Sequence, residues 1–335
     1  MTQAATLLRS RRRLLAALGI APWALGAAPS RAADAYPSRP VRIIVPFAAG
    51  GGADVLARPI AEALSRRMGQ PFIVDNRPGV GGNLGTDAVA KAAPDGYTLL
   101  LTPPAPIAQA VALYRKLPYD PQTDLVLLSD VAMARVACVV NASMPVRSFQ
   151  ELLAWSKANP MKLTIGSWGP GSQPHIVQVF MDKTFGTQTI HVPYKGEGPL
   201  VTDLVGGQIL MTCGSITTLA PHIASGKLRA LATIGPTRAA ALRDVPTFAE
   251  IGYPHEVLQL TGPYAMAAPA KTPPAIVERL GREIVAVMRA PEMVRRIEEM
   301  GMEAGGNTPA ESAAGYRARQ PVLTRAIRDT GVTLD

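Results

Sequence analysis

Short runs of consecutive apolar residues recur along the chain, each followed by a stretch whose apolar positions return every three to four residues. Val41–Pro46 (VRIIVP), Pro71–Val74 and Tyr97–Leu101 are runs of the first kind and read as buried strands. Between the first two, Leu56, Ile60, Ala63 and Leu64 share one helical face, and a second helix is expected over Leu84–Ala92. Pro59 is discordant: unless that first helix begins late, it removes one backbone bond and bends the first turns. Strand, helix, strand, helix, strand describes a parallel α/β unit with right-handed crossovers. A second series follows. Strands are expected at Val136–Asn141, Leu163–Ser167, Thr189–Val192, Ile209–Cys213 and Arg229–Ile234. Helices fit Ser148–Ala158 and Ser172–Thr184, with others near Pro199–Val205 and Ile216–Ala224. Leu258–Ala267 is a further apolar strand, and Pro273 to about Thr330 patterns as helix. The expectation is two α/β units of roughly 100–120 residues with a cleft, the first completed by the C-terminal helices.

The first 33 residues stand apart. They hold Arg9, Arg11, Arg12, Arg13 and Arg31 without any acid, the apolar run Leu14–Ala28, and then Ser30-Arg31-Ala32-Ala33. A basic start, a short apolar run and a small-x-small site form a secretory signal peptide, so the mature protein is expected to be exported. The run is too short to cross ~30 Å of hydrocarbon. Ser10-Arg11-Arg12-Arg13-Leu14-Leu15 also fits a twin-arginine signal. The 335 residues carry a formal charge of +9; without those five arginines, 29 of the 34 basic side chains face 25 acidic ones, leaving +4. The remaining Lys and Arg are scattered with no aromatic-interleaved stripe, so nucleic acid has no footprint here. A hydrophobic fraction of 47% with 18% charged residues excludes a disordered chain, and two cysteines exclude a disulfide scaffold. Cys138 and Cys213 fall on two expected strands, where they can pair in an oxidising compartment or remain buried thiols.

Three glycine-rich turns carry whatever chemistry the chain has. Ala48-Ala49-Gly50-Gly51-Gly52 leads from a strand end into a helix start, with Asp54 placed to cap it. Such a turn presents free N–H groups to an anion, although ordinary βα turns use glycine in the same way. Gly79-Val80-Gly81-Gly82-Asn83-Leu84-Gly85 follows the second strand and departs from a dinucleotide fingerprint. The third turn is Gly166-Ser167-Trp168-Gly169-Pro170-Gly171-Ser172-Gln173-Pro174-His175, with Ser172 as helix cap. Ser167 or Ser172 with His175 could be a nucleophile and its base, but no G-x-S-x-G elbow is present. His191, His222 and His255 lack metal-ligand spacing, so neither a metal nor a cofactor is expected.

Taken in order, these stretches resemble one family, the periplasmic substrate-binding receptors of tripartite tricarboxylate transporters, also called Bug proteins. The resemblance runs from about Tyr36 to Thr330. It is carried by Tyr36-Pro37-Ser38-Arg39-Pro40 with VRIIVPF, the Ala48–Asp54 turn and Asn76-Arg77-Pro78-Gly79. Further matches are Ala93-Pro94-Asp95-Gly96-Tyr97-Thr98, Leu117-Pro118-Tyr119-Asp120-Pro121 and Val192-Pro193-Tyr194-Lys195-Gly196. Asp203 with Gly206-Gly207-Gln208, and Pro246-Thr247-Phe248-Ala249-Glu250, complete it. The resemblance implies a type II periplasmic-binding-protein fold, two doubly wound α/β lobes joined by two crossing strands near Val131–Arg135 and Glu256–Leu260. Lobe 1 would be residues 34–133 and 258–335, and lobe 2 residues 134–257, after a signal peptide over 1–33. It also implies a small carboxylate as ligand, the membrane components of a tripartite tricarboxylate transporter as partners, and a monomer without catalysis. Ligand contacts carry over to Phe47, Ala49, Gly50, Gly51, Asp54 and Thr102 on one lobe. On the other they carry over to Ser167, Gly171, Ser172 and His175, with Asp203 selecting an amine or hydroxyl, and Trp168 joins the candidate contacts from its own place in the third glycine turn.

Three departures bear on the ligand. Trp168 stands at a turn position that is usually small in the family, where it narrows the cleft or offers a stacking face. Pro103-Pro104-Ala105-Pro106 replaces a stretch usually rich in small polar residues, and Thr261 replaces a common tryptophan. Together they favour an aromatic or less polar acid. The competing readings are a secreted serine hydrolase and a sensor that hands its ligand to a signalling partner.

Overall fold

Two mixed sheets, each dominated by the apolar runs described above, organise the computed structural model, which describes residues 36–259, 261–331 and 333–334. The signal-peptide stretch 1–33 lies outside the described residues. In chain order the first part comprises β1 (Val41–Val45), α1 (Gly52–Met68), β2 (Phe72–Asn76), α2 (Asn83–Ala90), β3 (Thr98–Thr102), α3 (Ala110–Leu113) and β4 (Leu125–Met133). The middle comprises β5 (Val136–Asn141), α4 (Phe149–Ala158), β6 (Thr164–Ser167), α5 (Gln173–Phe185), β7 (Ile190–Pro193), α6 (Glu197–Val205), β8 (Met211–Ser215), α7 (Ile216–Ala224) and β9 (Leu228–Ile234). The chain closes with β10 (Pro263–Pro269), α8 (Pro274–Met288), α9 (Pro291–Glu299), β11 (Glu303–Ala304) and α10 (Pro309–Asp329).

The first sheet has the order β11-β4-β10-β3-β1-β2 and the second β7-β6-β8-β5-β9. β1 runs parallel to β2 and β3, whereas β10 returns antiparallel between β3 and β4. In the second sheet β6 is parallel to β7 and β8, and β5 is antiparallel to β8 and β9. The chain passes from one sheet to the other through the two residues between β4 and β5, and returns through 235–262. This return differs from expectation: Glu256–Leu258 is one 3-10 turn, and the strand begins at Pro263 rather than Leu258.

α1 follows from its sequence. Leu56, Ala57, Ile60, Ala61 and Leu64 bury against Val41, Ile43 and Leu99, and Gly69 closes the helix in the left-handed conformation. Pro59 is accommodated inside the helix, which starts at Gly52 rather than after the proline. α8 and α9 add Leu280, Ile284 and Ile297 to the first core, but Ile327 near the end of α10 joins the second, with Leu113 and Leu258. Cys138 and Cys213 sit directly opposite on β5 and β8, Cα atoms 3.9 Å apart, and form a disulfide.

Candidate functional site

Gly51, unaided by any side chain, caps α1, so the first N–H groups of this helix stay available to other partners. They face the second lobe. Gly52 N–H donates to Glu197 Oε2 at 3.1 Å, and Ser215 N–H, where β8 turns into α7, donates to Glu197 Oε1 at 2.7 Å. Glu197 itself begins α6. Three helix starts, one from the first lobe and two from the second, therefore meet at one buried carboxyl, 8% exposed. Burial pushes the pKa of Glu197 up, and the two main-chain N–H bonds pull against that rise. Beside it the Tyr264 phenol is likewise pushed up, by burial and then by the Glu197 charge.

These groups line a narrow cleft between the lobes that opens to solvent at its mouth. Phe47, Gly51–Ala53, Pro103–Ala105 and Tyr264 form one wall, with Trp168, Gln173, Glu197 and Ser215 opposite. Gln109, carried by one turn of π-helix at Ala105–Gln109, donates through Nε2 to Gln173 Oε1 at 3.1 Å across the cleft. The lobes also touch at its rim: Ala48 N–H donates to Lys195 O at 3.1 Å, and a Cβ on Gly198 would meet Ala49 O at 2.7 Å. Gly198→Ala favours α6 by propensity yet pushes the lobes apart, so ligand affinity is expected to fall about tenfold with the unliganded melting temperature unchanged. Calorimetric titration checks the first, and a thermal melt the second; full affinity would show that the rim contact does not belong to the liganded form.

Of the residues singled out by sequence, Phe47, Gly51 and Trp168 line the cleft. The remainder do not line it. Asp54 accepts from Gly50 N–H at 3.0 Å and pairs with Arg58 at 2.7 Å, fixing the turn before α1. Gly50 holds that turn at φ +81°, and Ala49 is exposed at the rim. Thr102, fully buried, donates to Pro103 O. Ser172 sits at the start of α5, but its hydroxyl donates back to Gly169 O at 2.6 Å. Gly171 N–H donates to His175 Nδ1 at 3.0 Å. Asp203, on α6, accepts from the Tyr194 hydroxyl at 2.7 Å, away from the cleft lining.

The pairing a hydrolase would need, Ser167 or Ser172 with His175, is not formed. Ser167 Oγ instead shares a 2.6 Å hydrogen bond with His191 Nε2, on the neighbouring strand β7, because parallel pairing brings the two strands side by side. His175 stacks on His191, ring centroids 4.2 Å apart. Burial, and next the His175 charge, lower the pKa of His191 from 6.5 to about 4. The folded state therefore binds the proton more weakly than the unfolded chain, so the stability it confers is full above pH 6.5 and lost as the pH falls toward 4. A melting-temperature series over that range is expected to slope downward with acid, and His191→Gln to make it shallower, the rest belonging in part to His175, which burial also lowers; an unchanged slope in the variant would place the titration elsewhere.

Gln109, Glu197, Ser215 and Tyr264 line the cleft without having been marked by sequence, and Gly52 and Gln173, named there only as members of two glycine-rich turns, line it with them. Two signals lay close: Glu197 follows the Tyr194-Lys195-Gly196 motif, and Gln173 follows the Ser172 cap. The departures at Pro103, Pro104 and Thr261 all line the cleft too.

Residues 56–313 match the family model described as tripartite tricarboxylate transporter family receptor. Protein BugT of Bordetella pertussis is 37% identical over 323 residues, covering 96% of this chain and 98% of the relative. A solved R. palustris protein with adipate superposes with a TM-score of 0.83 at 32% identity, covering 89% of this chain and 99% of that one. MatC from Rhodopseudomonas palustris, with bound malate, gives 0.82 at 27%, covering 87% and 100%. Two lobes, facing helix starts and a match along most of both chains agree, and the protein belongs to the tripartite tricarboxylate transporter receptor family.

Proposed function

We propose that this chain is a periplasmic solute receptor that closes its two lobes on a small organic carboxylate and delivers it to the membrane components of a tripartite tricarboxylate-type transporter. It acts as a monomer after removal of the signal peptide and turns nothing over. The observation that carries the reading is the cleft, where the start of α1 faces those of α6 and α7 between the walls of Phe47 and Trp168. The helix starts of both lobes converge on the buried Glu197 carboxyl and fix the inner end of the cleft, while Phe47 and Trp168 offer faces to the apolar body of a small organic acid. The relatives that hold adipate and malate support the ligand class. Against hydrolysis, Ser167 is fully buried, and no carboxylate among the described residues bonds His191 to orient it.

Thermal shift against a panel of organic acids tests the reading. A ligand at about 100 times its Kd adds ~2.7 kcal/mol to stability, an easily read shift. Native mass spectrometry of the purified protein is expected to show a co-purified acid of the same class. A flat response to every acid, with nothing co-purified, would overturn the assignment.

A further inference from the structure

Glu197 is the one charged side chain in the cleft lining, and no Lys, Arg or His among the described residues lines the cleft with it. Its carboxyl occupies the place where the helix starts of both lobes converge, and both oxygens already accept main-chain N–H bonds. A ligand carboxylate arriving there would find the donors taken and a like charge waiting. A second group is unmatched in the same sense. Gln173 donates through Nε2 to Val257 O, so it turns Oε1 to Gln109, and Gln109 must offer Nε2 in return. That leaves Gln109 Oε1, in a residue 6% exposed, with no hydrogen-bond partner. The cleft thus presents a carboxylate and a free buried carbonyl oxygen, flanked by the aromatic side chains of Phe47 and Trp168. Acceptors with aromatic walls and no cation suit a protonated amine, which pairs with the carboxylate, donates to the carbonyl and rests against aromatic faces.

We propose that Glu197 sets the ligand class of this receptor: it selects a small molecule presenting a protonated amine to the inner end of the cleft, such as an amino acid, and excludes dicarboxylates. The proposal rests on the cleft being the ligand site and deepens that reading. A cation beside Glu197 also offsets the burial that otherwise pushes its pKa up.

Matched ligands of four and six carbons separate the possibilities: succinate and adipate, 4-aminobutanoate and 6-aminohexanoate, butanoate and hexanoate, each titrated by calorimetry. Wild-type protein is expected to bind an amino acid of the series at least tenfold more tightly than the dicarboxylate of equal length. Glu197→Ala vacates the donors, so its affinity for that dicarboxylate is expected to rise at least tenfold and its affinity for the amino acid to fall by a similar factor. Glu197→Gln, nearly isosteric and uncharged, is expected to lose the amine preference while keeping the packing, which guards against an Ala variant that folds poorly. Wild-type protein binding the dicarboxylate as well as the amino acid, or a preference unchanged in both variants, would overturn the role of Glu197 while leaving the receptor reading intact. Failure of every probe to bind any of the three proteins would count against both.

Discussion

Gly52→Val is expected to abolish ligand binding, a loss of more than 100-fold in affinity. Gly52 opens α1, and a Cβ built on it would lie 2.7 Å from the Tyr264 hydroxyl, 3.2 Å from Ser215 Oγ and 3.3 Å from Glu197 Oε2. The first contact is with the same lobe; the other two come from the opposite lobe and exist only when the two meet. Valine therefore fills the inner cleft and holds the lobes apart at once. A factor of 100 corresponds to about 2.7 kcal/mol, the scale of an overpacked site. The variant is expected to fold, because the backbone at Gly52 is not in the left-handed region and the Tyr264 hydroxyl is the far end of a side chain. Gly52→Ala is expected to fall between, at about tenfold. Calorimetric titration with the acid giving the largest wild-type thermal shift reads both, and circular dichroism reads the fold. Wild-type affinity in Gly52→Val would show that ligand binds elsewhere than at the start of α1.

The cleft shows why such a residue is hard to mark by sequence. Gly51 and Trp168 are legible because glycine turns at strand ends announce themselves locally, whereas Phe47 is marked only by the family resemblance. Glu197 resembles any acidic residue in the first turn of a helix, where its charge suits the dipole of α6 alone. Its other partner, Gly52 N–H, lies 145 residues away in sequence and in the opposite lobe. The fold divides the same way. β1 and β3 are centred on the apolar runs Ile43–Val45 and Leu99–Leu101, and the Ser148 cap of α4 accepts the Glu151 N–H as local chemistry demands. Apart from its end, where the resemblance implies a crossing near Val131–Arg135, β4 escapes notice because Ser129 and Asp130 interrupt its apolar pattern. Both are buried, and their partners come from the far end of the chain: Asn307 bonds each of them, and Ser312 and Arg319 bond Asp130. A polar strand centre is stable only once those groups arrive. Similarly, Ser172 sits where a helix cap is expected, yet its hydroxyl donates to Gly169 O because the preceding turn folds back on it. Periodicity reports local preference, and these are the positions where a distant partner overrides it.

Loss of the Cys138–Cys213 disulfide is expected to lower stability by about 4 kcal/mol. The two cysteines are 75 residues apart and join β5 to β8 at the centre of the second sheet. Chain entropy for a loop of that length gives about 4.5 kcal/mol, and removal of native disulfides typically costs 2–5 kcal/mol. At roughly 2–4 °C per kcal/mol for a protein of this size class, the melting temperature is expected to drop by about 10 °C. Cys138→Ala with Cys213→Ala tests this without leaving a buried thiol or hydroxyl. Both side chains are fully buried in the core with Val140, Ile165 and Met211, so the alanines add a small packing loss in the same direction. Adding reductant during unfolding of the wild-type protein is expected to reproduce most of the effect, which separates the bond from the packing. The consequence for function follows from position. β5 is the strand entered directly from the first lobe, and β8 ends at Ser215, whose N–H holds Glu197. The disulfide thus ties the entry strand to the strand that presents the cleft, and its removal is expected to weaken ligand binding as well as stability. An unchanged melting temperature in both the double variant and the reduced protein would show that β5 and β8 hold their register through the ladder alone.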